Sequence, residues 1–226
     1  MRLLIFFVFV SSLFAGPPMK INDPFVPNLG EFEINIAIEV ERKDDTLVRA
    51  PIVDFNYGIM QNVQFTLEGA YINSHNQNDI DGLEVALKWH FYEGEILSVA
   101  LYPKYKSYPI DSIFHEAEAL EISIPVNVIL NESFSLVVDT VYVMPKDTQK
   151  HLEFGTYLKY KNSKHTFYGA MFFEDNPYEN EILIFGAMGY KYQFHKNVAY
   201  MISYEKEVGT TDRRAAVLYS GLQFVF

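Results

Sequence analysis

The sequence predicts an all-β fold: a transmembrane antiparallel up-and-down β-barrel of about 12 strands, preceded by a cleavable signal peptide. Three observations carry this. Apolar residues recur at every second position along most of the chain. The hydrophobic residues, 49% of the 226, are dispersed, and beyond the first residues no uncharged apolar stretch is long enough for a spanning helix. The connections between alternating segments fall into a short class and a long class that take turns along the chain.

Composition narrows the field before any element is assigned. A formal net charge of -11, from 18 Lys plus Arg against 29 Asp plus Glu, excludes a basic nucleic-acid binder. The aromatic content of 16% excludes a disordered polar chain. Cysteine is absent, which removes disulfides, thiolate metal sites and cysteine nucleophiles. At 226 residues the chain has room for one barrel and none for a two-domain enzyme.

In chain order, Arg2 followed by the apolar run Leu3 to Val10 and by Ser11-Ser12-Leu13-Phe14-Ala15 reads as an export signal cut after Ala15. Three regions result: residues 1–15 as signal peptide, 16–30 as an N-terminal periplasmic segment or plug, and 31–226 as barrel. Residues 16–30 include Pro17, Pro18, Pro24 and Pro27, have no period, and join a strand ladder poorly. They form either a periplasmic tail or a segment folded into the barrel mouth.

From residue 31 the alternation is explicit. Phe32, Ile34, Ile36, Ile38 and Val40 share one face, and Glu33, Asn35, Ala37, Glu39 and Glu41 the other. The pattern returns at Val63 to Tyr71, Leu83 to Phe91, Leu97 to Leu101, Leu120 to Val128, Phe134 to Val138, Leu152 to Tyr160 and Val198 to Tyr204. Weaker segments at 52–57, 167–174, 182–192 and 215–226 complete a set of about twelve, each near the ten residues that a tilted strand needs to cross a bilayer. A soluble β-sandwich also alternates, but it has no need for so many strands of that length.

Short connections are expected at 58–62, 92–95, 129–133, 161–164 and 194–197. Longer, charged ones lie at 42–49, 73–82, 106–118, 144–150, 174–180 and 206–213. Short periplasmic turns and long outer loops are the asymmetry of bacterial outer-membrane barrels. The last strand ends Gly221-Leu222-Gln223-Phe224-Val225-Phe226. It resembles the C-terminal signal of such barrels, which implies recognition by the barrel assembly machinery through the Phe226 strand. Pro103 and Pro125 lack a ladder donor, so a bulge or strand end is expected at each.

Outward aromatics fall near strand ends: Tyr57, Phe65, Trp89, Phe91, Phe134, Tyr160 and Phe226 at the inner rim, and Tyr71, Tyr142, Phe154 and Tyr204 at the outer. Rings of this kind prefer the membrane–water boundary and the partners expected there are outer-membrane lipids.

The opposite face gives the lumen-lining candidates: Glu33, Asn35, Glu39, Asp54, Asn56, Glu68, Glu84, Lys88, His90, Lys104, Glu121, Asp139, Glu153, Lys159 and Tyr219. Twelve strands enclose about 24 Å of backbone diameter and leave on the order of 10 Å for passage, enough for single small solutes. An acidic lining favours cations or neutral solutes over anions; internal salt bridges stiffening a closed barrel are the alternative. In the last third Leu183, Phe185, Met201, Val217 and Tyr219 make one wall apolar. That wall is either a track for a hydrophobic solute or packing around an inserted N-terminal segment.

No catalytic residue and no metal or cofactor site is assigned. A hydrolytic group can be drawn from His90 and Ser98 with Glu84 and Glu121, but a lumen histidine satisfied by its neighbours is the default. His75, His115 and His151 are expected in solvated loops or strand tips. Residues 76–82 have the oxygen-rich look of a Ca²⁺ loop and lack its bidentate Glu. Asn131-Glu132-Ser133 is a sequon in an expected turn, and no phosphate-cradling or dinucleotide motif is present.

The stretch Glu31-Phe32-Glu33-Ile34-Asn35-Ile36, then Ala50-Pro51-Ile52-Val53-Asp54-Phe55-Asn56-Tyr57-Gly58, then Asn62-Val63-Gln64-Phe65-Thr66-Leu67-Glu68, resembles the opening hairpins of a family of outer-membrane barrels labelled for the meta-pathway of phenol degradation. The likeness covers roughly residues 31–91. It implies a transporter-like outer-membrane barrel moving aromatic or other hydrophobic solutes and transfers no functional residue. On physical grounds Gly58 suits a tight turn, and Asp54 and Asn56 face inward with hydrogen bonds to make across the lumen.

The function expected is therefore an outer-membrane channel or transporter for a small-molecule solute, with no enzymatic activity and no nucleic-acid partner. A non-conducting structural or surface-interaction barrel is the alternative, and an outer-membrane lipid hydrolase a further one.

Overall fold

A computed structural model describes residues 20–42, 46–73, 78–107, 118–146, 149–176, 181–208 and 216–226. The expected signal peptide and much of the long connections lie outside these residues. Thirteen strands form one closed sheet: β1 (Phe32–Arg42), β2 (Thr46–Met60), β3 (Val63–Asn73), β4 (Asn78–Glu93), β5 (Leu97–Ser107), β6 (Glu118–Ser123), β7 (Val126–Ile129), β8 (Phe134–Pro145), β9 (His151–Asn162), β10 (His165–Asn176), β11 (Glu181–His195), β12 (Val198–Glu207) and β13 (Ala216–Val225). Since β5 and β8 each pair with both β6 and β7, those two short strands are halves of one crossing, and the barrel has 12 strands in its wall.

Every pairing is antiparallel, and each crossing of the wall lies beside its neighbours in sequence. The seam joins β1 to β13 from Glu33↔Val225 to Arg42↔Ala216. It is sealed at one end by reciprocal bonds, Phe32 N–H to the Phe226 carbonyl at 3.1 Å and Phe226 N–H to that of Phe32 at 2.9 Å, and by their stacked rings, 5.0 Å apart. Closure is what a lipid environment demands, since an open edge would leave backbone groups in hydrocarbon without partners.

The alternation predicted for β1 decides which face is inside. Glu33 is 1% and Ala37 3% exposed, against 45% for Ile36 and 51% for Ile38. The same split places Leu67, Leu87, Leu158 and Leu218 outside and Gln64, Lys88, Tyr157 and Gln223 inside. An apolar exterior around a polar interior is the inverse of a soluble protein and the arrangement of a membrane barrel.

Five tight turns close one end, including Asn62 at φ 63° and Ser163 at φ 55°. In another, Asn131 Oδ1 accepts from Ser133 N–H at 2.9 Å and Phe134 N–H at 3.0 Å, so the nominal sequon acts as a turn cap. At this end two of the expected rim aromatics, Phe134 and Tyr160, join Phe167 and Tyr190 in a chain of rings: Phe134 to Tyr160 at 4.7 Å, Tyr160 to Phe167 at 6.2 Å and Phe167 to Tyr190 at 5.1 Å.

Pro125 behaves as expected and splits β6 from β7; its carbonyl accepts from Ala100 N–H at 3.0 Å. Pro103 does not end its strand. β5 runs through it, and the ladder to β4 passes from Lys104 to Leu101 without a pair at Pro103. Residues 78–82 belong to β4, so the Ca²⁺-loop reading fails there because this stretch is extended and paired with β3.

Candidate functional site: a lumen occupied by the N-terminal segment

Residues 21–27 run inside the barrel, while Lys20 and residues 28–30 are exposed at its two ends. The segment leaves the end of β1 at the short-turn mouth, anchored by Gly30 N–H to the Gly58 carbonyl and Gly58 N–H to the Glu31 carbonyl, both 2.9 Å. The far end is Lys20, whose ammonium lies 3.9 Å from Glu174 near the long-loop end of β10 and 5.4 Å from the ring centres of Phe172 and Phe185. Pro17 and Pro18 lie outside the described residues, but Pro24 is wholly buried within the lumen. The described part of residues 16–30 packs against the inward faces of the wall.

Two contrasting walls hold the segment. Against β8–β11, Ile21 is 3% exposed in a cluster with Val137, Tyr157, Tyr168, Ala170, Phe172 and Phe185, and Leu183 and Ala187 pack beside it. Burying an isoleucine side chain is worth about 1.5–3 kcal/mol. The apolar inner faces of β10 and β11 thus serve as packing for an inserted segment.

The other wall is polar. Asn22 donates to Asp139 Oδ2 through its backbone N–H at 3.1 Å and its Nδ2 at 2.8 Å, while Ser123 donates to Asp139 Oδ1 at 2.6 Å. Asp23, buried, lies 3.9 Å from the Lys88 ammonium, which also donates to the Phe25 carbonyl at 3.3 Å. The Phe25 ring stands edge-on to His90 at 6.2 Å and under Lys159 at 5.4 Å.

Two glycines are explained by this segment. A β-carbon on Gly58 would sit 2.0 Å from the Asn28 carbonyl oxygen, and one on Gly155 2.6 Å from Ile21 Cγ1. Gly58 therefore corrects the tight-turn reading: it lies within β2, and its bare α-carbon lets a second backbone approach. Gly58→Ala should push the segment off its seat and speed amide exchange across residues 28–31 at least about tenfold, read by mass spectrometry. Unchanged exchange would show that the wall yields instead.

Of the lumen candidates, Glu33, Asn35, Asn56, Lys88, His90, Lys104, Glu121 and Asp139 are buried and the others half-buried, and their contacts form separate networks. Asp54 and Asn56 do not bond across the lumen. Asn35 Nδ2 donates to Asp54 Oδ2 at 2.8 Å and Glu33 Oε1 at 2.9 Å, Asn56 Nδ2 to Asp54 Oδ2 at 2.9 Å, and Thr66 Oγ1 to Asn56 Oδ1 at 2.7 Å. The reach of these short side chains is a strand spacing, so the network follows the wall from β1 to β3.

Farther round, Lys104 and Lys106 knit β5 to Glu84 and Glu121, with Lys106 to Glu121 at 2.6 Å and Lys104 to Glu121 at 3.5 Å, while Arg49 meets Glu39 at 2.7 Å. Part of the acidic lining is thus neutralised between neighbouring strands, the kind of internal salt bridge that stiffens a wall. Glu68 and Tyr219 stay part-exposed between these networks, and Glu153 lies 3.5 Å from His151.

His90 and Ser98 are both buried on the inward face, yet among the described residues no hydrogen bond joins them, and His90 Nε2 has no partner. His151 corrects another expectation: it begins β9 at 7% exposure instead of lying in solvent. His75 and His115 lie outside the described residues. Among the described residues no three His, Asp or Glu are placed to hold a metal ion.

The residues missed by sequence reasoning are Ile21, Asn22, Asp23 and Phe25, together with Gly58 and Gly155 opposite them. The available signal was local: an isolated apolar–polar–acidic–aromatic string in a proline-rich stretch, and glycines inside strands, where close backbone approach is a standard cause.

No protein-family model matches the chain, and no curated protein matches it in sequence. Its fold does match solved structures. An outer-membrane channel of Pseudomonas putida F1 superposes with a TM-score of 0.67 at 11% identity, covering 90% of this chain and 98% of that one. KdgM porin gives 0.62 at 12% identity, covering 85% and 99%. Outer-membrane phospholipase A from Escherichia coli gives 0.51 at 10% identity, covering 92% of each chain. At such identities the likeness is one of fold, and that fold is the bacterial outer-membrane β-barrel. The phenol-degradation label gains nothing from these matches.

Proposed function

We propose that the chain is an outer-membrane channel for small solutes whose bore is held closed by residues 20–30. The observation that carries this reading is the way the lumen is filled. The filling is a single segment, joined to the first wall strand at Gly30–Glu31, that adds no strand to the wall and grips it through Asn22, Asp23 and Ile21. The wall itself is completed by the seam between β1 and β13, without the segment. A bore lined with carboxylates, ammonium groups and amides is hydrated once vacated, because such groups are prohibitive in a dry cavity. A channel and a porin among the structural matches are consistent with this use of the fold.

Small size follows from the bore, on the order of 10 Å across when empty. In this proposal the outward leucines and isoleucines meet outer-membrane lipid, and the Phe226 strand addresses the assembly machinery. The second reading, a non-conducting barrel, is favoured by the Lys104, Lys106, Glu84 and Glu121 cluster, which stiffens one wall.

Planar-bilayer recording separates the two. Refolded protein should give small, intermittent currents, and Asn22→Ala with Asp23→Ala should raise the open fraction at least about tenfold, the effect of losing about 1.4 kcal/mol of anchoring. Silence from both proteins at every voltage would remove the channel reading.

A further inference from the structure

The charges of the inner half of the lumen are not distributed as the overall acidity suggests. Lys88, Lys159 and Lys191 project inward from β4, β9 and β11, each a few residues above the short-turn end of a descending strand. Lys191 is engaged by Gln223 and feels the carboxylate of Glu33. The carboxylate of Asp23, which comes from the inserted segment, lies 3.9 Å from the Lys88 ammonium and acts on Lys159 as well, while Glu33 and Asp54 of the wall act on Lys88 beyond ion-pairing distance. Among the described residues no wall carboxylate lies within ion-pairing distance of either ammonium. The barrel thus presents a buried cation, Lys88, and a half-buried one, Lys159, that share an anion delivered by the inserted segment.

Two residues farther along, Phe25 supplies an aromatic ring to the same place. Its ring is 8% exposed, edge-on to His90 and under the Lys159 ammonium. His90 is 96% buried by its 4% exposure, and its Nε2 has no partner among the described residues, a donor or acceptor left idle against the segment. The backbone N–H of Phe25 folds back to Asp23 Oδ1 at 3.2 Å, so carboxylate and ring are held together as one compact unit. That unit has the outline of a small molecule: one negative charge and one flat apolar body, separated by a few bonds.

We propose that Lys88, Lys159 and His90 form a binding site for a small organic monocarboxylate with an apolar, ring-sized body, and that Asp23 and Phe25 are its built-in competitor. This deepens the channel reading and rests on it for its physiological use. The physics is that of a tethered ligand. A short tether supplies Asp23 and Phe25 at an effective concentration in the millimolar range, so a free solute meets a site already taken and binds with its affinity cut by the vacant fraction. A solute that wins displaces the segment, and binding and opening become the same event. Charge alone is not enough, because a bare anion leaves the space of the Phe25 ring empty, and a neutral aromatic leaves the two ammonium groups uncompensated.

Binding can be read without any current, by titrating benzoate into full-length detergent-solubilised protein in a calorimeter, with acetate and phenol as the partial ligands. Folding of each variant is checked by the mobility shift of unheated samples on gels. Asp23→Asn keeps the shape and the bond from Phe25 while removing the charge, and should tighten benzoate binding at least about tenfold over the parent protein. Adding Lys88→Met should cancel that gain. Phe25→Ala, an independent way to vacate the pocket, should tighten benzoate about threefold with Asp23 intact. Acetate and phenol should each bind at least about tenfold more weakly than benzoate. Equal benzoate affinity in the parent and Asp23→Asn proteins, equal affinity for acetate, or indifference to Lys88→Met would overturn the proposal. A protein that conducts in bilayers and ignores benzoate sinks this site alone; one that binds benzoate and never conducts sinks the channel reading alone.

Discussion

Deleting residues 16–28 should turn small, intermittent currents into a steady current at least about fivefold larger. The deletion keeps Leu29, Gly30 and Glu31, and so keeps the Gly30–Gly58 and Glu31–Gly58 bonds that start β1. It removes Ile21 from the apolar wall, Asn22 from Asp139 and Asp23 from Lys88. Each polar partner left behind faces a bore of on the order of 10 Å, wide enough for water to replace the lost bond. Val137, Tyr157 and Phe172 become wetted, so the truncated barrel should also unfold more easily, while still running as a folded species on gels. A truncated barrel that folds and conducts no better than the full chain would mean that something other than this segment closes the bore.

The second large effect concerns the outer face. Ile36→Arg should lower stability in lipid vesicles by about 2–4 kcal/mol, the cost of an arginine on the lipid side near mid-membrane. Ile36 is 45% exposed at the middle of β1, where its neighbours across the seam and in the hairpin are Leu222 and Val53. Glu39→Gln, one turn of the pleat away on the inner face, should change stability by under about 1 kcal/mol, because the bond to Arg49 stays partly solvated. Denaturant unfolding from vesicles measures both. On the surface of a water-soluble β protein the same Ile36→Arg change would sit within about 0.5 kcal/mol of neutral, so a null result would count against the membrane face itself.

Much of this architecture was legible because a strand repeats every two residues and a barrel wall separates two solvents. In β1, Glu33, Asn35 and Ala37 against Ile34, Ile36 and Ile38 leave one assignment, and β4 and β9 are as explicit. The boundaries of β10, β11 and β13 were harder, since Phe172, Phe185 and Val217 make the inner face apolar as well, and alternation fades when both sides are greasy. The reason for those residues lies outside their own strands: Ile21 comes to meet the first two. Gly58 was misread for the same cause, because a glycine made necessary by a carbonyl thirty residues upstream looks the same as one made necessary by a turn. The alternation assigns the lumen candidates to a face, but which of them meet depends on how the seam closes. That Asp139 would hold Asn22, or Lys88 the Phe25 carbonyl, is set by positions 117 and 63 residues apart.

Lys20 and Phe226 stand at opposite mouths of the barrel. Twelve crossings return a polypeptide to the side on which it started, and the inserted stretch adds a thirteenth, so the parity of the fold is odd. Residues 20–30 therefore carry the chain from one mouth of the bore to the other before the first wall strand begins.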